Sequence, residues 1–275
     1  MTALRPDPQW RAALLARAAQ PPLRPRQPLV WGPHVIGSVE PDFFSPVLLG
    51  PSAPAHEWLR SEPGDAGLQW LLQGDPTAAL ARLAQILAEA GVGRVVQHWR
   101  DEQLAVCDAQ GRRIATVERG LVRPLGIATR AVHLVGQTLD GRFWVQQRAL
   151  DKAFDPGLWD TLMGGMVSAA DSIDSALRRE TWEEAGIDLD AVENLRRGGS
   201  VAMHKPSSDG ADAGYVVESV DWFHCTVPDS VQPLNQDGEV AQFLLLDRPE
   251  LLARLQRDEF TTEAALVLLA ALGFS

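Results

Sequence analysis

The chain has 275 residues, and its 45% hydrophobic and 22% charged content lies close to the globular average, which excludes fibrous, collagen-like and low-complexity proteins. This length suits one large domain or two smaller ones. The net charge of −11 argues against a nucleic-acid partner, because such proteins concentrate Lys and Arg against the phosphate backbone.

The first part of the chain predicts a small module with both helices and strands. Apolar residues at helical spacing predict helices over 7–20 and 77–90. Between them, 28–49 is rich in β-forming residues but interrupted by prolines, which favours short strands. Two alternating runs around a Gly-containing turn predict a hairpin over 104–117. These elements together predict an α+β module at residues 1–125.

A stretch punctuated by Pro and Gly at 119–126 predicts the boundary with a second domain, residues 126–275. Beyond it the pattern changes, and no internal repeat is evident. The predicted strands cover 131–135, 143–147, 216–225 and 242–246, with another near Val201, and the predicted helices cover 173–185, 248–257 and 262–272.

Neither the cysteines nor the apolar runs indicate secretion or a membrane. Cys107 and Cys225 lie far apart and match no paired metal-binding spacing, so we expect reduced, packed thiols in a cytoplasmic protein. The first 20 residues lack the apolar core of a signal peptide, and the longest apolar run, 264–274, is too short to span a bilayer. The scarcity of Lys beside many Arg and Ala indicates a GC-rich bacterial genome.

The helix that follows the Gly-Gly pair carries acids on its apolar side. Ile173 and Leu177 mark an apolar stripe, Glu180 and Glu184 fall within it, and Glu183 lies on its edge. Carboxylates so close repel one another, and a partly buried carboxylate is costly unless a cation or hydrogen-bond donors offset its charge. A solvated acidic face is the alternative, but the order of glycine pair, loop, acidic helix and terminal glycine favours a divalent cation.

At these residues the chain resembles the Nudix family, whose pattern is G-x5-E-x7-R-E-U-x-E-E-x-G-U, with U an aliphatic residue. Gly165 opens the pattern, and the run RETWEEAGI that begins at Arg179 closes it with the right spacing. Two positions depart from it, because Asp171 stands where the family has Glu and Thr181 stands at an aliphatic position. In the family the first Glu pairs with the Arg, so we expect the shorter Asp171 to reach Arg179.

The resemblance implies an α/β/α sandwich with a mixed sheet, preceded here by the smaller α+β module. It also implies hydrolysis of a small molecule that carries a diphosphate. By the family's pattern Glu180 and Glu184 bind metal, Glu183 binds a further ion or orients water, the carbonyl of Gly164 completes the coordination sphere, and Arg179 orients the glutamates. Hard oxygen ligands select Mg²⁺ or Mn²⁺.

Several residues are candidates for proton transfer and substrate binding. Members of the family use as general base either the Glu after the box Arg, here Glu180, or an acid on a later loop, where Glu239 precedes a predicted strand. Arg148, Gly165 of the box and Lys205 are candidates for holding the substrate. For each of the charged side chains outside the box, a solvated surface position is the alternative.

Aromatic rings are candidates for stacking on the other half of the substrate, although buried packing is the alternative for each. These candidates are Trp159, in the loop before the Gly-Gly turn, and Trp31, Phe43 and Phe44 of the first module. His204 and Lys205 are predicted to lie in a Gly/Ser-rich loop that closes over the substrate.

The layout of the whole chain is similar to the Nudix half of two-part proteins related to thiamine pyrophosphokinase. This similarity implies hydrolysis of thiamine diphosphate, or its oxidised analogues, to the monophosphate. ADP-ribose or another nucleoside diphosphate derivative is the alternative substrate, and a binding module that does not cleave its ligand is the alternative function. A homodimer is the expected assembly, because symmetric dimers are the commonest oligomers.

Overall fold

A computed structural model describes residues 5–49, 57–65, 67–91, 99–152, 154–207 and 214–274. In the first part of the chain the elements are α1 Pro8–Ala18, β1 Gln27–Trp31, β2 His34–Val39, α2 Ser45–Leu49, β3 Leu59–Gly64, β4 Gly67–Leu72, α3 Pro76–Glu89, β5 Gln103–Cys107 and β6 Arg113–Glu118. In the second part they are β7 Ala128–Gln137, β8 Phe143–Arg148, β9 Trp159–Asp160, β10 Met163–Met166, α4 Ile173–Ala185, β11 Glu193–Pro206, β12 Tyr215–Thr226, β13 Val240–Leu246, α5 Arg248–Gln256 and α6 Thr262–Ala271.

The first sheet has four strands in the order β2-β1-β4-β3, with β1 parallel to β4. The apolar face of α3 packs in the same core, where Leu80, Leu83 and Leu87 are fully buried. The predicted strands within 28–49 are present as β1 and β2, but 45–49 is a short helix instead. β3 ends at Gly64 and contains Pro63, and β4 begins at Gly67, so their sequence lacks the alternation that marks a half-buried strand.

The second sheet is mixed and is packed on both faces. Its main path is β11-β12-β7-β8-β13, with β12 parallel to β7, while β10 pairs with β7 and β9 with β8. Successive residues of β7 point to opposite faces, as a strand requires. Val132 and Leu134 join the core beneath α4, and Ala131 and Val135 join the core beneath α5 and α6. The expected α/β/α sandwich behind a smaller α+β module is confirmed.

The two parts of the chain pack closely together. Helix α1 belongs to the core of α6, where Leu14 and Ala18 are buried, and Asp258 accepts hydrogen bonds from Arg17 and Trp10. The stretch 119–126 is not an exposed linker, since most of it is buried and Leu121, Val122 and Leu125 belong to the first core. The predicted boundary between residues 125 and 126 stays a prediction.

Two further expectations concern the state of the cysteines and the presence of a membrane-spanning helix. Cys107 and Cys225 are both free thiols, and burial raises the pKa of Cys225 to about 12, so this thiol stays protonated. Among the described residues, no helix is long and apolar enough to cross a membrane.

Candidate active site

The acidic helix α4 is held in place by signals at both of its ends. Ser172 and Ser175 form a reciprocal capping box at the start, in which each side chain accepts a hydrogen bond from the other residue's backbone N–H. Gly186 ends the helix in the left-handed conformation, with φ +62°. Thr181, at the position where an aliphatic residue was expected, is buried and donates its hydroxyl hydrogen to the Leu177 carbonyl 2.6 Å away. Its polar atom is therefore satisfied inside the helix.

Glu184 is a buried carboxylate, with 3% of its surface exposed. One oxygen, Oε2, accepts hydrogen bonds from the Gln146 amide at 2.7 Å and from the Gly164 backbone N–H at 3.0 Å. Burial raises the pKa of the carboxyl to about 8, and the neighbouring charges of Glu180 and Asp160 add to the rise. The site thus holds an acid whose ionisation calls for positive charge nearby.

The Glu180 carboxyl group lies in close contact with the backbone of β10. A Cβ atom on Gly165 would lie 2.1 Å from the Glu180 carboxyl carbon, so glycine is required here for close approach. Burial raises the pKa of Glu180 to about 7, against the opposing charge of Arg179. The prediction of a Gly-Gly turn is wrong, because Gly164 and Gly165 lie in β10, paired with His133 and Val132 of β7. The glycines allow a strand to run directly beneath the carboxylates.

Arg179 joins the acids of the box into one network. Its Nε and Nη2 donate to the same oxygen of Asp171, at 3.0 and 2.8 Å, so the shorter Asp does reach the arginine. Its Nη1 donates to Glu180 at 3.0 Å and to Glu183 at 2.9 Å. Burial opposes ionisation of Asp171, but hydrogen bonds from Arg179, Ser175 and Ser168 hold its pKa below the usual range.

A cavity of about 690 Å³ opens over these carboxylates. One side is formed by the glycine pair and the acids of α4. The remaining wall comes from distant parts of the chain and includes Arg119, Arg123, Arg148, Lys152, Lys205, Glu218, Glu239 and Glu263. The cavity is therefore strongly polar, with both signs of charge on its walls.

The donor set fits a hard divalent cation. Oε1 of Glu184 and Oε2 of Glu180 accept no hydrogen bond from the described residues, and both side chains line the cavity. In the present side-chain arrangement the described residues contain no converged group of three metal-binding side chains. Arg179 instead forms ion pairs with one oxygen of Glu180 and one oxygen of Glu183. Carboxylates are the oxygen ligands that Mg²⁺ or Mn²⁺ prefers, and burial raises the pKa of both Glu180 and Glu184.

The structure brings Glu239, Arg148 and Lys205 to the same cavity as the box. Glu239 pairs with Lys152, which holds the pKa of the carboxyl below its usual range despite burial. Arg148 donates from Nε and Nη2 to the Phe154 carbonyl. Lys205 lies at the end of strand β11, not in the predicted loop, with its Nζ 3.8 Å from Glu263.

The predictions of aromatic stacking residues are wrong. Trp159 lies in β9, is 7% exposed, packs in the core beneath α6 and carries Arg254 over its ring. Phe43 and Phe44 are buried in the first core, and Trp31 stacks on His34. None of these four rings lines the cavity. His204 lies exposed in β11, and residues 208–213 of the predicted loop lie outside the described residues.

Three residues of the site have no signal in the sequence. Gln146 supports Glu184, and its position 38 residues away along the chain gives no hint of that contact. His133 is buried, packs on Gly164 and shares a hydrogen bond of 3.0 Å with the Thr161 hydroxyl. Arg119 reaches the cavity from the first part of the chain. All three depend on contacts between residues that are distant in the sequence and that only the fold brings together.

Comparison with known proteins gives a consistent result. Residues 127–266, just over half of the 275, match the NUDIX domain. The chain is 28% identical over 186 residues to an uncharacterized protein of Saccharomyces cerevisiae, a match that covers 63% of this chain and 54% of that protein. It is 36% identical over 107 residues to an uncharacterized Nudix hydrolase of Pseudomonas aeruginosa, covering 39% of this chain and 62% of the relative.

A third relative is the chloroplastic Nudix hydrolase 20 of Arabidopsis thaliana. It is 27% identical over 193 residues, covering 68% of this chain and 49% of the relative. The matched segments therefore span only about half to three fifths of the length of these curated relatives.

Proposed function

The chain belongs to the NUDIX domain family, and from that premise we propose that it is a hydrolase that cleaves a diphosphate linkage with the help of a divalent cation. The observation that carries the proposal is the buried carboxylate of Glu184 beside the mostly buried one of Glu180, both facing a polar cavity. A fold gains nothing from burying such acids unless a cation or a reaction uses them.

The residues of the box would hold the cation or orient the residues that hold it. Glu180, Glu183, Glu184 and the Gly164 carbonyl would hold Mg²⁺ or Mn²⁺, and Arg179 orients the glutamates. When bound, the cation would neutralise the diphosphate, lower the pKa of water and stabilise the leaving oxyanion. The hydrogen bonds from Gln146 and Gly164 to Oε2 of Glu184 support this assignment, because they leave Oε1 for the ligand.

The hydrolysis requires one water molecule and one proton acceptor. The water oxygen attacks a phosphorus atom, the bond to the bridging oxygen breaks, and the acceptor takes the proton of the water. We assign Glu239 as the acceptor, since it lines the cavity and Lys152 keeps it ionised. Glu180 is the alternative acceptor. Arg148, Gly165 and Lys205 are assigned to binding the substrate.

The walls away from the box favour a positively charged head group. Glu218 and Glu263 both line the cavity. Glu218 pairs with Arg123, and Oε1 of Glu263 lies 3.8 Å from the Lys205 ammonium. Oε2 of Glu263 is buried without a hydrogen-bond partner among the described residues, and burial raises the pKa of this acid. A thiazolium ring carries a positive charge and an aminopyrimidine carries N–H donors. These features support thiamine diphosphate as the substrate, and its oxidised analogues, which keep the diphosphate, belong to the same proposal.

ADP-ribose is the alternative substrate, and its adenine would call for an aromatic platform. Among the described residues Phe154 lines the cavity and offers such a ring, so the product screen decides between the two substrates. A binding module without catalysis is the remaining alternative. The contact between Asp171 and Arg179 counts against it, because the departure from the family's Glu leaves the network of the box intact.

The experiment is a product screen with Mg²⁺ and with Mn²⁺. The purified full chain is incubated with thiamine diphosphate, its oxidised analogues, ADP-ribose, dinucleotides and nucleoside di- and triphosphates. Release of phosphate and a thiamine monophosphate supports the proposal, whereas AMP from ADP-ribose moves the substrate to the nucleotide class. Ligand binding without any product would support the binding module.

A further inference from the structure

Arg119 lies in the wall of the cavity although it precedes the family domain in the chain. It shares the cavity with Glu180 and Glu239. The guanidinium therefore faces the same space as the carboxylates of the box.

The hairpin β5–β6 fixes where Arg119 stands. Gln103 pairs with Glu118 at its open end, so Glu102 and Arg119 face each other one step further along. The Arg119 backbone N–H donates to the Glu102 carbonyl at 2.9 Å, and its Nη1 donates to Oε2 of Glu102 at 2.6 Å. The Glu102 carboxylate thus fixes the orientation of the Arg119 guanidinium.

The same hairpin is docked on the loop of the box. Leu104 forms a β-bridge with Ser168, and the Ala169 N–H donates to the Gln103 carbonyl at 2.7 Å. That loop leads into α4, which carries Glu180. The position of Arg119 relative to the carboxylates is consequently set by hydrogen bonds within one connected unit, and a shift of the hairpin would break them.

Arg119 also has side-chain N–H donors that bind no partner among the described residues. Glu102 is its only side-chain partner among the described residues, and 39% of the side chain is exposed. Three of the other cations that line the cavity are more fully used. All three nitrogens of Arg179 donate to carboxylates, the Lys152 ammonium is paired with Glu239, and two nitrogens of Arg148 donate to the Phe154 carbonyl.

We propose that Arg119 binds the substrate's diphosphate, so that the first module completes the active site of the family domain. This inference rests on the proposed function, because it takes the substrate to be a diphosphate held over α4. A guanidinium with free N–H groups in a fixed orientation is suited to two phosphate oxygens at once. The hairpin thereby becomes part of the substrate site and not only a structural neighbour of it.

The test measures binding and turnover separately, on the full chain. Calorimetry with inorganic diphosphate and Mg²⁺ gives the affinity of the wild type, Arg119→Ala, Arg119→Lys and Arg60→Ala. Arg60 is the control, since it lies on β3 outside the cavity and pairs with Glu62. Circular dichroism and thermal unfolding check each fold, and Arg119→Lys keeps the charge if the alanine variant is unstable.

A charge-assisted hydrogen bond contributes about 1.5–3 kcal/mol, so Arg119→Ala should bind inorganic diphosphate about 10- to 100-fold more weakly. Arg119→Lys should retain part of the affinity, and Arg60→Ala should match the wild type. For the diphosphate substrate found in the screen, KM should rise more than kcat falls. A merely structural role would instead lower the unfolding temperature and leave the KM of the folded fraction unchanged.

Two outcomes separate this inference from the function on which it rests. Equal diphosphate affinity of the wild type and Arg119→Ala overturns the inference, even if the wild type hydrolyses its substrate well. Weaker binding by Arg119→Ala without any hydrolysis by the wild type supports Arg119 and overturns the hydrolase. A wild type that neither binds nor cleaves a diphosphate overturns both.

Discussion

Substituting Gly165 by alanine would displace Glu180 without disturbing the fold around it. The added Cβ would lie 2.1 Å from the Glu180 carboxyl carbon and 2.4 and 2.5 Å from its oxygens. Ordinary contact begins at 3.4 Å, so the carboxyl must retreat by the difference, 3.4 − 2.1 = 1.3 Å. The carboxylate is the far end of a flexible side chain, which makes this shift cheap for the fold. For a reacting geometry, however, a displacement of about 1 Å costs about 10²-fold in rate.

We therefore expect Gly165→Ala to lower kcat/KM about 10²-fold and to weaken Mg²⁺ binding, with the free energy of unfolding changed by at most about 1 kcal/mol. The matched control is Gly64→Ala in β3. It also has an ordinary φ, and its Cβ would meet only the side chain of Gln69, at 2.5 Å. Steady-state kinetics and chemical denaturation measure the two effects. Wild-type kcat/KM in a folded Gly165→Ala would refute the assignment of Glu180 to the cation.

Two further predictions concern the proton acceptor and the stability of the N-terminal helix. Glu239→Gln should lower kcat about 10²- to 10⁴-fold, because an amide cannot take a proton from water, and an unchanged kcat would leave Glu180 as the acceptor. The hydrogen bond from Arg17 holds the pKa of Asp258 below its usual range, so the stabilisation is present above about pH 4 and is lost as the pH falls through the folded-state value. Asp258→Asn should accordingly lower the free energy of unfolding by about 0.5 kcal/mol at pH 7, since the pair is half exposed, and denaturation curves at pH 3 should show a smaller difference.

Local patterns predict the parts of the molecule whose structure is set locally. The apolar stripe, the spacing of the glutamates and the terminal Gly186 identify α4 within the sequence itself. The alternation of β7 and β8 and the turn at Gly141 likewise indicate the hairpin of the central sheet. In these segments propensity, periodicity and packing agree.

The failures occur where tertiary contacts decide the outcome. The glycine pair has the composition of a turn, but it lies in a strand. Glycine is required there because Glu180 and His133 lie too close to its Cα atoms for a side chain. Trp159 has the chemistry of a stacking platform, yet burial against α6 determines its place. Helix α1 shows amphipathic spacing but no sign that its partner is α6, near the other end of the chain.

The candidate site divides in the same way. The acids of α4 and Arg179 can be predicted from the sequence, because one helix carries them at a fixed spacing. The contribution of Arg119 cannot be predicted in this way, since it depends on the register of a hairpin and on the docking of Leu104 in that hairpin against Ser168. Long-range pairings of this kind leave no periodic signal in a single sequence.

The measurement that tests the central claim most directly is metal-dependent turnover of the wild type beside Glu184→Gln. The glutamine keeps an oxygen to accept the hydrogen bonds of Gln146 and Gly164, so the fold should be retained while one carboxylate ligand is lost. Losing about 3–4 kcal/mol of transition-state stabilisation corresponds to about 10²- to 10³-fold in kcat. We expect the wild type to release product from a diphosphate substrate only with Mg²⁺ or Mn²⁺, and the variant to fall by that factor. Equal turnover by the two proteins, or turnover by the wild type without a divalent cation, would contradict the account.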